Sequence, residues 1–240
     1  MPLAILILAV VLTSLVSAYL SMRDYRDLPD RKHPYSLFLI RNLANFTPEL
    51  LKQLYDDAKK HGIIISFERL FKGNQEALVI YAPKNLLDNY KELLGLLELE
   101  DYHEKLKERD VLSWELIPTS AKHNPLAALQ ESVLRLSLKN LSLKDEEQLI
   151  FQIVVLAVES KVGQSFQTSL RVAVVSAELS RRSELAHGVD GIFSRLTGFH
   201  KQKGAAKSSQ SYGLLKKRGL VPKEISKFIL NSESLIKLLK

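Results

Sequence analysis

The sequence predicts an α+β protein: an N-terminal transmembrane helix, two ferredoxin-like units of β-α-β-β-α order, and a C-terminal helical tail. Three observations lead to this prediction: an uncharged apolar segment at residues 1–22, two successive runs of strand and helix patterns, and a basic C-terminal region. The expected organisation is a membrane anchor (1–22), a juxtamembrane linker (23–35), a first unit (36–110), a second unit (111–200), and a basic loop with a final helix (201–240).

The predicted anchor carries no charged side chain between residues 1 and 22. A helix of about 20 apolar residues is long enough to cross the hydrocarbon core of a bilayer. Tyr19 is placed as an interfacial aromatic residue, and Arg23 and Arg26 follow the segment as membrane-interface cations. Because positive charge follows the helix, we expect a single-pass protein of the inner (plasma) membrane with most of the chain in the cytoplasm.

A cleaved signal peptide is the alternative interpretation of the same segment. The tripeptide Val16-Ser17-Ala18 resembles a small-residue cleavage site. No basic residue precedes the apolar run, which favours the anchor. Under the alternative, the chain would be a secreted binding protein.

The first unit begins with a strand at residues 36–41. Thr47-Pro48-Glu49 predicts a helix start, because Thr caps, Pro suits the first helical position and Glu suits the helix dipole. Gly62 is expected to end that helix in the left-handed conformation. Two β-branched and aromatic runs, at residues 63–71 and 76–82, predict a hairpin, and leucines over residues 85–99 predict a second amphipathic helix.

The second unit repeats the pattern. A strand is expected at residues 111–118, and Asn124-Pro125 opens a helix. Residues 147–158 and 164–175 predict paired strands, and the first of them is apolar at nearly every position, which is typical of a strand covered on both faces. A long helix over residues 178–199 closes the unit.

The net charge of +7 is concentrated in the tail, where residues 201–240 carry ten Lys or Arg and only two acidic residues. That excess of +8 leaves the first two hundred residues near −1, so the body of the protein is not basic. Residues 201–219, rich in Lys, Ser and Gly, are expected to form a mobile loop, and residues 222–240 a helix. The expected phosphate or lipid contacts of this tail are Lys201, Lys203, Lys207, Lys216, Lys217 and Arg218.

Residues with catalytic potential are sparse. The chain has no cysteine, so disulfides, thiolate metal sites and cysteine nucleophiles are excluded. The six histidines lack helical metal spacing and are expected at the surface, and the acidic segment at residues 98–110 is expected to be a solvated connection. No phosphate-binding glycine loop or serine-nucleophile motif occurs. We therefore predict no catalytic, metal or cofactor-binding residue and no enzymatic activity.

Five segments together resemble a known family. They are the N-terminal apolar segment, EALVIYAPK (76–84), NPLAALQESVLRL with LKDEEQLIFQIVV (124–155), QSFQTSLRVAVVSAELSRRSELAHGVDGIFSRLTGF (164–199) and ISKFILNSESLIKLL (225–239). This arrangement resembles the N-terminal, pre-ATPase region of TraC-like type IV secretion and conjugative-transfer membrane ATPases, whose motors belong to the HerA/FtsK group. The motor's nucleotide-binding motifs are missing from this sequence, so the resemblance transfers no catalytic residue.

The resemblance implies a docking or assembly role in a bacterial DNA-transfer machine. The expected partners are the membrane, a motor ATPase or other secretion-system subunits, and a second copy of the chain. The alternative is a membrane-tethered nucleic-acid-binding protein that acts through the basic tail.

Overall fold

The computed structural model describes residues 11–17, 34–118, 126, 129–130, 132–160, 163–201, 208–220 and 228–240. The strands are β1 (Tyr35–Leu39), β2 (Ile64–Lys72), β3 (Gln75–Pro83), β4 (Leu97–Leu99), β5 (Val111–Pro118), β6 (Gln148–Ser160), β7 (Gly163–Val175), β8 (Phe199–Lys201) and β9 (Phe228–Leu230). The α-helices are α1 (Pro48–His61), α2 (Lys84–Asp88), α3 (Lys91–Leu94), α4 (Val133–Lys139), α5 (Leu179–Thr197), α6 (Ser208–Lys217) and α7 (Ser232–Leu239). Three 3-10 helices join them at Leu43–Asn45, Tyr102–Lys105 and Glu108–Asp110, and residues 11–17 are also helical.

One antiparallel sheet contains all nine described strands, in the order β4-β1-β3-β2-β6-β7-β5-β8, with β9 beside β7. The element order β-α-β-β-α-β, which defines the ferredoxin-like unit, occurs twice along the chain. The strand order of the second half mirrors that of the first, because β2 pairs antiparallel with β6. The two expected units are therefore joined edge to edge in a single sheet with an α+β architecture.

Helix α1 shows how local chemistry forms these elements. The Thr47 hydroxyl accepts a hydrogen bond from the Leu50 backbone N–H at 3.3 Å, as expected for an N-cap. Gly62 ends the helix with φ of +61°, a conformation that favours glycine. The predicted hairpin is formed by β2 and β3, and the predicted strand at residues 111–118 is β5.

Three sequence predictions about element type are wrong. Residues 85–99 do not form one helix but two short helices, α2 and α3, followed by the edge strand β4. Helix α6 occupies part of the expected loop at 201–219, and strand β9 precedes α7 in the expected final helix. Strands β4, β8 and β9 have three residues each, which is too short for an alternating pattern to be visible in sequence.

The prediction of an N-terminal transmembrane helix is also contradicted. Among the described residues, no helix is both long enough and apolar enough to cross a membrane. The described part of the expected anchor is the helix at residues 11–17. The expectation of a single-pass inner-membrane protein fails with it, and the rest of the expected anchor and the linker residues 23–33 lie outside the described residues.

The two faces of the sheet are covered differently. Helices α1 to α5 and α7 contribute buried side chains to a continuous apolar core on the first face. Helix α6 and the segment at residues 102–106 pack on the second face, around smaller apolar clusters. Because side chains alternate along a strand, each central strand serves both faces. Phe67 lies in the first-face core, and its neighbour Glu68 lies on the second face.

Candidate binding site on the second face of the sheet

A row of polar side chains crosses the second face of the sheet. Glu68 on β2 is in register with Gln152 on β6, Gln152 with Arg171 on β7, and Arg171 with Glu115 on β5. All four side chains are buried. We call them the polar row. Residues in register on adjacent strands place their side chains close together, so this row is a direct result of strand pairing.

Hydrogen bonds connect the polar row from end to end. The Gln152 amide donates to Glu68 Oε1 at 2.9 Å, and Arg171 Nη1 donates to Gln152 Oε1 at 3.0 Å. At the other end, Arg171 Nε donates to Glu115 Oε1 at 3.3 Å. The row therefore satisfies part of its own hydrogen-bonding requirement, as buried polar groups must.

The remaining donors of the row bind the backbone of residues 208–220, which we call the strap. The Gln152 amide donates to the Leu215 carbonyl at 2.9 Å. Arg171 donates to the carbonyls of Leu214 at 3.1 Å and Gly219 at 2.5 Å. Leu214 and Leu215 lie in the last turn of α6, and their carbonyls also accept hydrogen bonds from the Arg218 backbone N–H. Side chains of the sheet therefore bind the main chain of the strap.

Arg218 provides the strongest contact between the strap and the sheet. Its Nε donates to Glu68 Oε1 at 2.7 Å, and its two terminal nitrogens donate to the two oxygens of Asp101 at 2.6 and 2.9 Å. The guanidinium also lies 4.5 Å from the ring centroid of Tyr81, which adds a cation–π contact. Arg218 follows α6 with φ of +50°. That left-handed conformation is unfavourable for a residue with a side chain, and these ion pairs hold it in place.

Charge pairing sets the ionisation of the buried carboxyl groups. Burial alone would raise the pKa of Glu68, but the Arg218 guanidinium and the neighbouring His103 outweigh it and hold that pKa far below its usual value. Burial likewise opposes ionisation of Asp101, and its hydrogen bonds to Arg218 lower the pKa of that carboxyl. Both groups are therefore carboxylates at neutral pH.

The segment at residues 101–106 also contacts the strap. The Tyr212 hydroxyl donates to the carbonyl of Leu106 at 3.0 Å, and His103 Nε2 lies 3.2 Å from Glu68 Oε2. His103 is fully buried, so the expectation of a surface histidine is wrong at this position. The acidic segment is also not a purely solvated connection, because Asp101 belongs to the buried network.

A cavity of about 480 Å³ lies beside this network. The ends of β2, β3 and β6 line it, together with Tyr102, Lys105 and Leu106. Its size is within the range of small-molecule sites. The cavity shares the segment at residues 102–106 with the strap contact.

The residues predicted to contact phosphate or lipid do not form one surface cluster among the described residues. Lys216 and Lys217 are exposed on the strap, and the Lys201 ammonium on β8 lies 5.3 Å from the centroid of the Trp114 ring. Arg218 differs from the expectation, because its guanidinium is buried and engaged by carboxylates. The other predicted site residues lie outside the described part of the chain: Lys203, Lys207, Tyr19, Arg23 and Arg26.

The ionisable groups of this arrangement are engaged with one another and with the strap. Over the described ranges, no group of three or more His, Asp or Glu side chains could hold a metal ion. The carboxylates of Glu68, Asp101 and Glu115 each accept a hydrogen bond from an arginine. A carboxylate engaged in this way with a lowered pKa, such as Glu68 or Asp101, is a poor general acid or base near neutral pH.

Sequence reasoning missed the polar row, although a signal was present. Each of the four strands carries at least one charged or amide residue within an otherwise mostly apolar run: FERLF, SWELI, FQIVV and SLRVAV. A charged or amide residue in the middle of a buried strand needs a partner, so these positions were candidates for a buried network.

Comparison with known proteins adds no family to this description. A scan against models of protein families found no match to the chain, and a search of curated proteins also found none. The resemblance to TraC-like ATPases therefore stays a prediction from the sequence.

Proposed function

We propose that the chain is a non-catalytic assembly module that docks a motor ATPase of a type IV secretion or conjugative DNA-transfer machine. The observation that carries this proposal is the sheet edge at β4, which is the last strand in the order. Leu97 on β4 and Leu93 just before it are about half exposed, at 48% and 46%. An edge strand offers unpaired backbone groups, and exposed leucines beside it add apolar area for a partner.

The second face supports a binding role over a catalytic one. Its buried ionisable groups bind one another and the strap, so both carboxylates of the polar row are already paired with arginines. A module that positions other subunits needs a rigid scaffold. A continuous nine-stranded sheet with a single large core supplies one.

The resemblance supplies the identity of the partner. In the TraC-like proteins, a segment similar to ISKFILNSESLIKLL lies just before the motor domain. Part of that segment forms β9 and α7 here, where the Asn231 side chain caps α7 and Leu235, Ile236 and Leu239 are buried. The segment is thus an integral part of the fold, which is what a structural connection to a motor would require.

Co-purification with a motor ATPase encoded beside this chain tests the proposal. We expect a complex by size-exclusion chromatography with light scattering, and a Leu97→Asp variant should weaken it at least about tenfold, as loss of a buried interface leucine does. Leu179→Asp is the matched control, because Leu179 is 70% exposed and lies at the start of α5. The same measurement on the chain alone reports whether it self-associates.

Two results would contradict the proposal at different levels. If the wild-type chain forms no complex with the motor, the docking function is wrong. If the complex forms and Leu97→Asp leaves it intact while Leu179→Asp disrupts it, docking stands but the β4 edge is not the interface.

A further inference from the structure

The two carboxylates that bind Arg218 are also held by groups outside the strap. Glu68 accepts a hydrogen bond from the Gln152 amide at 2.9 Å, and its other oxygen lies 3.2 Å from His103 Nε2. Asp101 Oδ1 accepts a hydrogen bond from the His103 backbone N–H at 2.9 Å. Because these partners do not belong to the strap, the carboxylates keep their positions without it. The pair is therefore preorganised for a cation, which lowers the cost of binding one.

Two aromatic rings complete the surroundings of the guanidinium. Its central carbon lies 4.5 Å from the centroid of the Tyr81 ring and 5.8 Å from that of the Tyr102 ring. The Tyr81 ring packs in turn on the Tyr35 ring, with centroids 5.0 Å apart. Two carboxylates and two aromatic rings suit a guanidinium, which has a planar fork of donors and a delocalised positive charge. We call this set of side chains the guanidinium cage: Glu68, Asp101, Tyr81 and Tyr102.

The guanidinium cage carries more negative charge than Arg218 neutralises. Glu68 and Asp101 are both carboxylates at neutral pH, because the pKa of each is lowered, and Arg218 supplies a single positive charge. The cage is also accessible on one side, since the Asp101 side chain is 34% exposed and that of Glu68 is fully buried. A second arginine that approaches along Asp101 therefore meets complementary charge.

The strap is anchored by little apolar surface. Tyr212 and Leu215 belong to one small cluster of the second face and Leu220 to another, and no described residue of the strap belongs to the first-face core. Arg218 adopts a left-handed conformation that favours glycine. Segments with few buried apolar contacts open at a lower free energy than the core of a protein. We therefore expect the strap to leave the sheet while the first-face core stays folded.

The polar row binds the strap through contacts that any polypeptide can make. Gln152 and Arg171 donate to three main-chain carbonyls of the strap, two of them in the last turn of α6. The guanidinium cage then binds the side chain of the residue that follows the helix. Free arginine lacks these carbonyls, so the complete set of donors and acceptors favours a polypeptide that has an arginine directly after a helix.

We propose that the guanidinium cage is a docking site for an arginine of a partner protein. In the free chain Arg218 occupies the cage, and in the complex the arginine of the partner replaces it and the strap leaves the sheet. That arginine follows the last turn of a helix, whose carbonyls bind Gln152 and Arg171. The cage lies on the second face of the sheet, so the inference does not depend on docking at the β4 edge.

Binding of a small guanidinium ion to an emptied cage tests the site itself. Arg218→Ala removes the side chain beyond Cβ, and N-ethylguanidinium has the shape and charge of the missing part. Isothermal titration calorimetry on the full chain should show that this ion binds Arg218→Ala at least about tenfold more tightly than n-propylammonium, which cannot form the forked contact with Asp101. Equal binding of the two cations, or equal binding of N-ethylguanidinium to the variant and the wild type, would overturn the proposal.

A labelled peptide tests the exchange with a polypeptide. The probe is a fluorescein-labelled peptide of residues 208–220, and its matched control carries citrulline, which is neutral and similar in shape, in place of the arginine. In fluorescence anisotropy the full wild-type chain should bind the arginine peptide at least about tenfold more tightly than the citrulline peptide. NMR on the isotope-labelled chain should show faster hydrogen exchange at the strap amides as the arginine peptide is added. Absence of binding, or equal binding of the two peptides, would contradict the exchange.

Three further variants show whether the cage is the site of this preference. Asp101→Asn should reduce the preference for the arginine peptide, whereas Glu104→Gln, at an exposed position of the same segment, should leave it unchanged. Arg218→Lys keeps the charge of the strap without the fork and should bind the arginine peptide more tightly than the wild type. This variant serves in place of Arg218→Ala if that protein does not fold. An undiminished preference in Asp101→Asn would overturn the assignment of the cage.

Discussion

The two faces of the sheet bury different kinds of side chain. The first face packs apolar side chains from six helices into one core, and it includes Phe67, Phe151 and Trp114. The second face buries Glu68, Gln152 and Glu115, each the next residue along the same strands. Apolar burial stabilises without regard to direction, whereas the polar row has specific donors and acceptors. The first face therefore holds the fold together, and the second specifies which segment packs on it.

Truncation on the first face is expected to have the largest effect. Phe67 is fully buried and makes an edge-to-face contact with Phe46, with ring centroids 5.5 Å apart. Phe67→Ala leaves a cavity and should lower the free energy of unfolding by about 4 kcal/mol. Urea denaturation followed by the fluorescence of Trp114 measures this change. A loss below that of an exposed-residue control such as Leu179→Ala would contradict the role of this core.

Breaking the ion pairs on the second face should cause the second-largest loss of unfolding free energy. Arg218→Met leaves the buried carboxylate of Glu68 and the partly exposed carboxylate of Asp101 without their arginine partner, and should cost about 3 kcal/mol. The double variant Glu68→Gln/Arg218→Met removes one uncompensated charge and should recover part of that loss. Hydrogen exchange should show that Arg218→Met exposes the strap before the first-face core opens. Simultaneous opening of both faces would contradict this prediction, because it would show that the two faces unfold as one cooperative unit.

Acid should weaken the second face specifically. The folded pKa of Glu68 lies below its ordinary value of 4.5. This group therefore stabilises the fold above that pH, and its contribution is lost as the pH falls. A group of this kind contributes a slope of about 1.4 kcal/mol per pH unit below about pH 4.5.

The Glu68→Gln variant cannot take up this proton. It should show a shallower dependence of unfolding free energy on pH than the wild type between about pH 4.5 and about pH 3, measured by urea denaturation at each pH. Asp101→Asn should reduce the slope in the same direction, because Arg218 also lowers the pKa of Asp101. An unchanged slope in both variants would mean that the pairing does not control acid stability.

The smallest effect on stability is expected at the exposed side of the strap. Lys216→Ala with Lys217→Ala should change the free energy of unfolding by less than about 0.5 kcal/mol, as surface substitutions usually do. The same variant tests the nucleic-acid hypothesis. If these lysines contact phosphate, the dependence of the logarithm of duplex-DNA affinity on the logarithm of salt concentration should become shallower by about two. Fluorescence anisotropy measures it, and an unchanged slope would remove the strap from that hypothesis.

Sequence patterns predicted the parts of the fold that depend on neighbouring residues. The Thr47 cap, the Gly62 stop and the β2–β3 hairpin are confirmed, since capping and turn chemistry act over a few positions. The three-residue strands were missed because their pairing partners, not their own pattern, make them strands. The loop predicted at residues 201–219 failed for a related reason: helix α6 is held by Arg171 and Gln152, which are distant in sequence.

The sequence by itself determined the alternation of elements, the boundaries of helix α1 and the uneven charge of the chain, because these follow from local propensity and composition. Only the tertiary structure decided which polar residues meet. Strand register brought Glu68, Gln152 and Arg171 into one row, and folding of the strap placed Arg218 against Glu68 across 150 positions of sequence. It also turned a predicted surface cation into a buried one. The physical reason is that a charge finds its partner through space, and no local pattern records where the sheet will place it.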